Sequence, residues 1–421
     1  MKKAFPYKQT FIIGFGFLGI SIIWPIFNAY VPIFLQAGNP EYNAKLLEMG
    51  KEIPDIVGLK LGPGLAMLVM TFDNILNIFI QPWAGSKSDQ TWNRFGRRKP
   101  WIMIGAPIAV IGFILVPFAN TIAAIMVFIM ITNFGMAIFR SPTVAWLGDI
   151  FTSEQRSQAN GIINLMGGIG GAIALFGGGI LYEKMGRNAP FIAGALFMLA
   201  MLSVALTWVK EPEKVNKIKQ DTSSVFENIK HVFKNENKSG IYVLLGILFW
   251  FMAYEAVQSG LSSFAVFSLG LSPGIASQMT VLFAGSLILF ALPSGLIATK
   301  IGRKRTIRIG LVGLIILFGI GFVFIKTQMT LGIILVLGGF CWALVNVNSL
   351  PLVYDYGDEE KIGAYTGLYY FSSQSAAVLG PVMSGFIVKN FGYDYQYLWL
   401  FAAIFMAFAW LAMAGVREKK V

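Results

Sequence analysis

Gln81-Pro82-Trp83-Ala84-Gly85-Ser86-Lys87-Ser88-Asp89 and, after four intervening residues, Arg94-Phe95-Gly96-Arg97-Arg98-Lys99-Pro100-Trp101 lie between two long apolar runs. This charged island has an echo in the second half of the chain. Gly96-Arg97-Arg98-Lys99 is answered by Gly302-Arg303-Lys304-Arg305, Asp149 by Asp355 and Gly161 by Gly367, at an offset of 206 residues in every pair. A plan written twice in parallel, six apolar segments each time, is a transporter architecture with its site between the halves at mid-membrane.

Working outward, the chain of 421 residues is 56% hydrophobic and only 13% charged. An ordinary soluble domain carries roughly 25% charged residues, so a soluble multidomain enzyme is excluded. A single cysteine, Cys341, and a single histidine, His231, exclude a disulfide scaffold and a Cys/His metal cluster. A membrane span needs about 20 apolar residues. Twelve such segments are read, at 10–36, 62–86, 100–118, 121–147, 158–182, 189–209, 240–267, 273–298, 307–326, 330–354, 363–388 and 394–416. They use nearly the whole chain and leave no room for a catalytic domain, so neither an enzyme nor a cofactor is expected. The N-terminal apolar run has no small-residue cleavage site and reads as a retained span.

The net charge of +12 first suggests nucleic acid, but it has another origin here. If both termini and alternate loops share one side, that side holds 25 of the 33 Lys and Arg residues; seven lie opposite and Arg140 lies within a span. Positive charge gathers on the cytoplasmic side, so both termini are expected there, in a plasma (inner) membrane. The longest loop, 210–239, is polar and Lys-rich. It divides an N-terminal unit (1–209) from a C-terminal unit (240–421). The expected fold is therefore an all-α polytopic membrane protein of twelve transmembrane helices in two six-helix bundles.

Gly85 and Asp89 followed by the basic cluster resemble the signature of the major facilitator superfamily. The longer form, from Gln81-Pro82 to Arg94-x-Gly-Arg-Arg-Lys-Pro-Trp101, is similar to the glycoside–pentoside–hexuronide cation symporters and to the plant sucrose and animal sugar–proton symporters. Pro142 through Gly161 (PTVAWLGDIFTSEQRSQANG), which contains Asp149 and Arg156, is similar to the same group. The resemblance implies alternating access, with spans 1, 4, 7 and 10 lining a central cavity. Gly85, Asp89, Arg97, Arg98, Asp149 and Arg156 are expected to form a conformational latch, since carboxylates among guanidiniums at helix ends can fix one state. In the second copy Thr299 stands where the first has Asp89, so a weaker latch is expected there.

Ionisable groups at mid-membrane cost several kcal/mol and mark function. Three are found: Asp73, Arg140 and Glu255. Asp73 and Glu255 lie about 20 and 22 Å from the cytoplasmic end at about 1.5 Å per residue, and are the expected proton-coupling acids. Arg140 is expected to set the charge of a nearby carboxylate. Asp73, Asn77 and Gln81 share one helical face, with Asn74 adjoining. The melibiose-type relatives hold sodium with two span-2 acids, and the resemblance places those positions on Asn77 and Gln81. Neither is a carboxylate, which favours protons over sodium.

Sugar recognition needs aromatic faces and amides. The expected substrate-binding residues are Trp24, Asn28 and Tyr30 on span 1, Asn77 on span 2, Trp250, Tyr254 and Gln258 on span 7, and Trp342 and Asn346 on span 10. Span 11, with Tyr365, Tyr369, Tyr370 and Gln374, ranks below them. Gly14-x-Gly16-x-x-Gly19 fits a dinucleotide fingerprint, but it lies inside an apolar span with no preceding strand and reads as helix packing. No Walker loop is present. The function expected is proton-coupled symport of a disaccharide or glucoside by a monomer in the lipid bilayer. The alternative is sodium-coupled or uncoupled transport of another organic solute, lipid or drug-like.

Overall fold

The structure, a computed structural model, describes residues 5–211, 239–356 and 362–416. His231, nearly all of the 210–239 linker and the side chains of Asp73 and Tyr365 lie outside the described residues. Fourteen α-helices are described, with no strand among them. The first half holds α1 (Tyr7–Gln36), α2 (Pro40–Glu48), α3 (Pro63–Met70), α4 (Phe72–Gln90), α5 (Lys99–Leu115), α6 (Ile122–Ile150), α7 (Ser153–Met185) and α8 (Ala189–Trp208). The second holds α9 (Ser239–Phe267), α10 (Pro273–Ile301), α11 (Arg303–Phe324), α12 (Gln328–Tyr356), α13 (Ile362–Asn390) and α14 (Gln396–Gly415).

Eleven of these helices are long and apolar enough to cross a membrane. The twelfth expected span, 62–86, is present as two pieces, α3 and α4, that meet at Thr71. Thr71 takes φ −92° and ψ −4°, and its Oγ1 donates to the Leu68 carbonyl at 2.8 Å. Asp73, Asn74, Asn77 and Gln81 make α4 too polar to count as a span by itself. The break also falls where the segment changes partners. α3 packs on α13 of the other half, whereas α4 packs on α6 of its own.

Local signals set most helix starts. Asn39 accepts from the Glu41 N–H before Pro40, and Ser272 accepts from Ile275 before Pro273. Thr152 and Gln155 form a capping box at the start of α7. Apolar side chains gather in two cores, one built from α1 to α8 and one centred on α9 to α14. Ile33, Ala37, Tyr42 and Met67 of the first half belong to the second core.

That crossing marks where the halves meet, at the end opposite the termini. On α7, Gly179 lies so close to α10 that a Cβ there would stand 2.6 Å from the Gly274 carbonyl oxygen. Ser277 Oγ donates to the Leu175 carbonyl at 2.9 Å, and the Gly274 N–H to Glu183 at 3.1 Å. α2 lies over the second half: Tyr42 stacks on Phe267 (4.6 Å), and Lys45 pairs with Asp394 (3.1 Å). Farther along the same connection, Lys51 donates to the Ser268 carbonyl (2.6 Å). Burial, and then Lys326, hold the Lys51 ammonium below its usual pKa. Toward the termini the halves part. α7 and α10 still touch where Gly168 meets Ile288, but beyond it Leu165, Leu289, Leu292 and Leu296 are exposed.

Candidate functional site

Where the halves part, a cavity of about 260 Å³ lies between α1, α7, α9 and α10. Its polar wall is Trp24 and Asn28 from α1, Gln258 and Ser262 from α9, and Thr280 from α10. Gly168, Gly171, Leu175, Val281 and Ile288 supply an apolar wall. Among the described residues, no charged side chain lines it. Trp24 Nε1 and Ser262 Oγ are buried there with no protein partner. A buried polar atom without a partner costs about 1–3 kcal/mol, and both atoms belong to residues that line the cavity.

The other sequence-predicted residues are placed as follows. Tyr30 is fully buried and stacks on Tyr182 at 5.1 Å. Trp250 is fully buried in the second core. Trp342 is also buried and stacks on Tyr254 at 4.4 Å, nearly parallel. Tyr254 in turn accepts from Gln258 Nε2 at 3.0 Å. Trp342 and Tyr254 therefore form a stiff prop behind Gln258, and only Gln258 of the three reaches the cavity. Asn346 is half-buried on α12, and its carbonyl accepts from Ser349. Neighbouring Asn348 is buried on Ser294 and the Leu344 carbonyl. Asn77 is half-buried, with its Oδ1 unpartnered. Arg140 is exposed on α6, and Glu255 is half-buried one turn before Gln258. Asp73 is the second residue of α4. The cavity residues not anticipated from sequence, Ser262 and Thr280, carry no signal that sets them apart from other span hydroxyls.

A second constellation stands at the end carrying the termini. Arg98, only 4% exposed, extends Nε to Asp149 (2.7 Å), Nη2 to Asp89 (2.6 Å) and Nη1 to Ser88 (2.5 Å). Arg97 also reaches Asp89 at 2.6 Å. Burial opposes the Arg98 charge, but Asp149 and Asp89 outweigh it and hold its pKa above the usual arginine value. The planar guanidinium presents five donors in a fixed fork, against three on a lysine ammonium. Arg156 caps the end of α6 by donating to the Gly148 and Phe151 carbonyls. Gly85 approaches Ser141 of α6, where a Cβ would stand 2.7 Å from its Oγ.

The cluster has a member that the sequence reading missed. Glu211, just past α8, accepts the backbone N–H groups of Arg97, Arg98 (2.9 Å) and Lys99 (3.0 Å), and the Trp146 indole (2.8 Å). It thus caps the start of α5, where a negative charge is favoured. Gly96 makes room for it, with φ +112° and no Cβ; Gly302, its echo, has φ +89°. Glu213 stands two residues on in the same Lys-rich loop, so the sequence does not single Glu211 out. The second half repeats the design more sparely: Arg303 pairs with Asp355 (2.5 Å), and Lys304 donates to the Val416 carbonyl just past α14 (2.6 Å). Both Arg303 and Asp355 are over a third exposed, so this pair contributes little.

All described partners of the first cluster belong to the first half. It therefore ties α4, α5, α6 and the end of α8 into one body. Glu211→Ala is expected to lower stability by about 3 kcal/mol, since hydrogen bonds to charged groups contribute about 1.5–3 kcal/mol each. Asp89→Asn, at a site 46% exposed, is expected to cost under about 1 kcal/mol, slowing transport while leaving substrate affinity within a few-fold. Thermal unfolding in detergent checks the order, and a larger loss for Asp89→Asn would contradict it.

Comparison with known proteins agrees with this architecture. The sequence profile of the Major Facilitator Superfamily matches residues 9–285 and 261–420, so the chain belongs to that superfamily of membrane transporters. It is similar to the multidrug resistance protein 2 of Bacillus subtilis, 25% identical over 100% of this chain and 98% of that one. It is also 25% identical to the lactose permease of Leuconostoc lactis, over 81% of this chain and 55% of the permease. The human proton-associated sugar transporter A is 26% identical over 49% of this chain and 28% of its own length. Among solved structures, the nucleoside transporter NupG superposes with a TM-score of 0.71 at 17% identity, covering 98% of this chain and all of that one. A peptide transporter, POT, superposes with a TM-score of 0.75 at 13% identity, covering 97% and 94%. At such identities the structures speak to the fold alone.

Proposed function

We propose that the chain is a secondary transporter that carries a neutral, hydroxyl-rich solute, a sugar or glucoside, together with protons. The observation that carries the reading is the uncharged cavity of Trp24, Asn28, Gln258, Ser262 and Thr280, with the Trp24 and Ser262 polar atoms buried and unpartnered. An aromatic face with hydroxyls and amides suits a pyranose ring. A cationic drug would need an acid in the wall. One sugar ring fits the enclosed part, and a second ring or an aglycone extends toward the open end. The sugar-carrying names of the lactose permease and of the human sugar transporter agree with this. The full-length multidrug relative supports the rival reading, a drug-like solute.

In this reading the end carrying the termini is cytoplasmic, which the 25 to 7 division of basic residues supports. The structure is then the inward-open state. The halves rock about the cavity, and the contacts of Lys45, Gly179 and Ser277 close the outer side. A reporter active only outside the cytoplasm, fused to the C-terminus, should give no signal.

The deciding experiment is uptake into proteoliposomes of labelled mono- and disaccharides and of a cationic dye, with pH and sodium gradients imposed separately. Sugar uptake driven by the pH gradient is expected. Trp24→Ala should raise the sugar KM about tenfold, because an aromatic stacking contact contributes about 0.5–1.5 kcal/mol and 1.4 kcal/mol is a factor of ten. Dye transport without sugar transport would replace this reading with the drug-like one.

A further inference from the structure

A cavity of about 470 Å³ lies apart from the transport path, at the termini-bearing ends of α5 and α8. Arg94 and Lys99 form its basic wall. Ser203 and Thr207, one turn apart on α8, form its hydroxyl wall, and Met103 and Leu206 its apolar floor. We propose that this cavity is a binding site for an anionic phospholipid, with the phosphodiester on Arg94 and Lys99.

Three observations support a lipid. Its depth is that of a membrane interface: Trp83, Trp92 and Trp208 are about half exposed or more at the same end, and Trp101 stands against Trp83 at 5.7 Å. Indole rings collect at headgroup level. Its chemistry is graded in the same sense as a lipid. Arg94 and Lys99 flank the loop, while Met103, 45% exposed, lies one turn further into the span, where an acyl chain would run. The charges are also available. Glu211 is occupied by backbone N–H groups, that of Lys99 included, and Asp89 and Asp149 by Arg97 and Arg98. Arg94 lies over the Phe95 ring at 4.7 Å, a contact that leaves its guanidinium donors open to a phosphate. Basic recesses between helices at a membrane face select acidic headgroups.

The hydroxyl wall narrows the headgroup. Ser203 Oγ donates to the Leu199 carbonyl and Thr207 Oγ1 to the Ser203 carbonyl, at 2.7 and 2.8 Å. Each oxygen therefore turns its lone pairs outward as an acceptor. A headgroup with hydroxyls beyond the phosphate, such as phosphoglycerol, satisfies both walls. Because the Lys99 N–H is held by Glu211, the lipid would brace the same turn of α5 that carries the Arg98 cluster. The inference needs only that α5 and α8 are embedded in a bilayer, not the identity of the transported solute.

The test uses the full chain, reconstituted in phosphatidylcholine with or without phosphatidylglycerol, washed in detergent, and assayed for retained lipid and thermal midpoint. Wild type should retain phosphatidylglycerol and melt at a higher temperature with it. Arg94→Gln with Lys99→Gln should retain it roughly 30-fold less well, at about 1 kcal/mol per basic residue near a lipid surface. The double variant should keep the wild-type midpoint in phosphatidylcholine alone. Lys87→Gln, at an exposed lysine of the same end outside the cavity, should retain lipid as wild type does. Equal retention by the double variant, or equal loss in Lys87→Gln, would overturn the site. Equal stabilisation by soluble glycerol phosphate would overturn the lipid in favour of a free phosphate ester.

Discussion

Gln36→Leu is expected to open the molecule at the end opposite its termini and to reduce transport more than tenfold. Gln36 is fully buried at the end of α1. Its Oε1 accepts from the Tyr42 hydroxyl (2.7 Å) and the Tyr395 hydroxyl (2.5 Å). Its Nε2 donates to Ser263 Oγ (2.9 Å) and to the Pro32 carbonyl (2.9 Å). Ser263 and Tyr395 belong to the second half, so one amide joins the halves. Leucine fills similar space but leaves three hydroxyls without this partner, and each unsatisfied buried group costs about 1–3 kcal/mol. Once the halves part at this end, water reaches those hydroxyls, so the cost falls on the closed form. Counting only the two hydroxyls across the interface gives about 2–6 kcal/mol, a shift of at least roughly 30-fold. By contrast, Lys45–Asp394 at the same closure is about a quarter to a third exposed, and its loss should move the equilibrium less than about fivefold. Cys341 is the one native cysteine. With Cys341→Ser and a probe Asn39→Cys, thiol labelling should quicken strongly in Gln36→Leu and only slightly in Lys45→Gln. Unchanged labelling and transport in Gln36→Leu would remove the amide from the closure.

This contrast also shows what could be read from sequence and what could not. Span positions were legible because bilayer thickness forces about 20 apolar residues in a row. The two halves were legible because charges at loop ends repeat at a fixed offset. The break at Thr71 was not, since neither proline nor glycine marks it, and it follows from α3 and α4 packing on different halves. Facing within a span was only partly legible. Trp24 and Tyr30 are six residues apart on α1, and one lines the cavity while the other stacks on Tyr182. Trp250, Tyr254 and Gln258 share a helical face, but successive turns differ in depth, and only Gln258 reaches the opening. Gln36 and Glu211 were missed for a common reason. Their partners lie as far as 359 and 114 residues away in sequence, and no local pattern reports such contacts.

Asp73→Asn and Glu255→Gln are expected to separate uphill accumulation from exchange, with the larger effect at Asp73. A carboxylate at mid-membrane is costly unless it is paired or working. Both acids stand near moving parts. Asp73 is the second residue of α4, just after the break at which the segment leaves α13 and joins α6. Glu255 stands one turn before Gln258, which lines the cavity, and next to Tyr254, which accepts from Gln258. If one proton accompanies each sugar, one unit of pH gradient supports about tenfold accumulation, because a unit of pH and a tenfold concentration ratio are each about 1.4 kcal/mol. Neutralising the coupling acid removes that link, so accumulation should fall to unity while exchange of labelled for unlabelled sugar stays within a few-fold. Neutralising an acid that only holds substrate should instead weaken both together through KM. Asp73→Asn is expected to follow the first pattern and Glu255→Gln the second. If both variants still concentrate sugar tenfold on a unit pH gradient, neither acid carries the proton, and coupling to sodium or uncoupled transport takes its place.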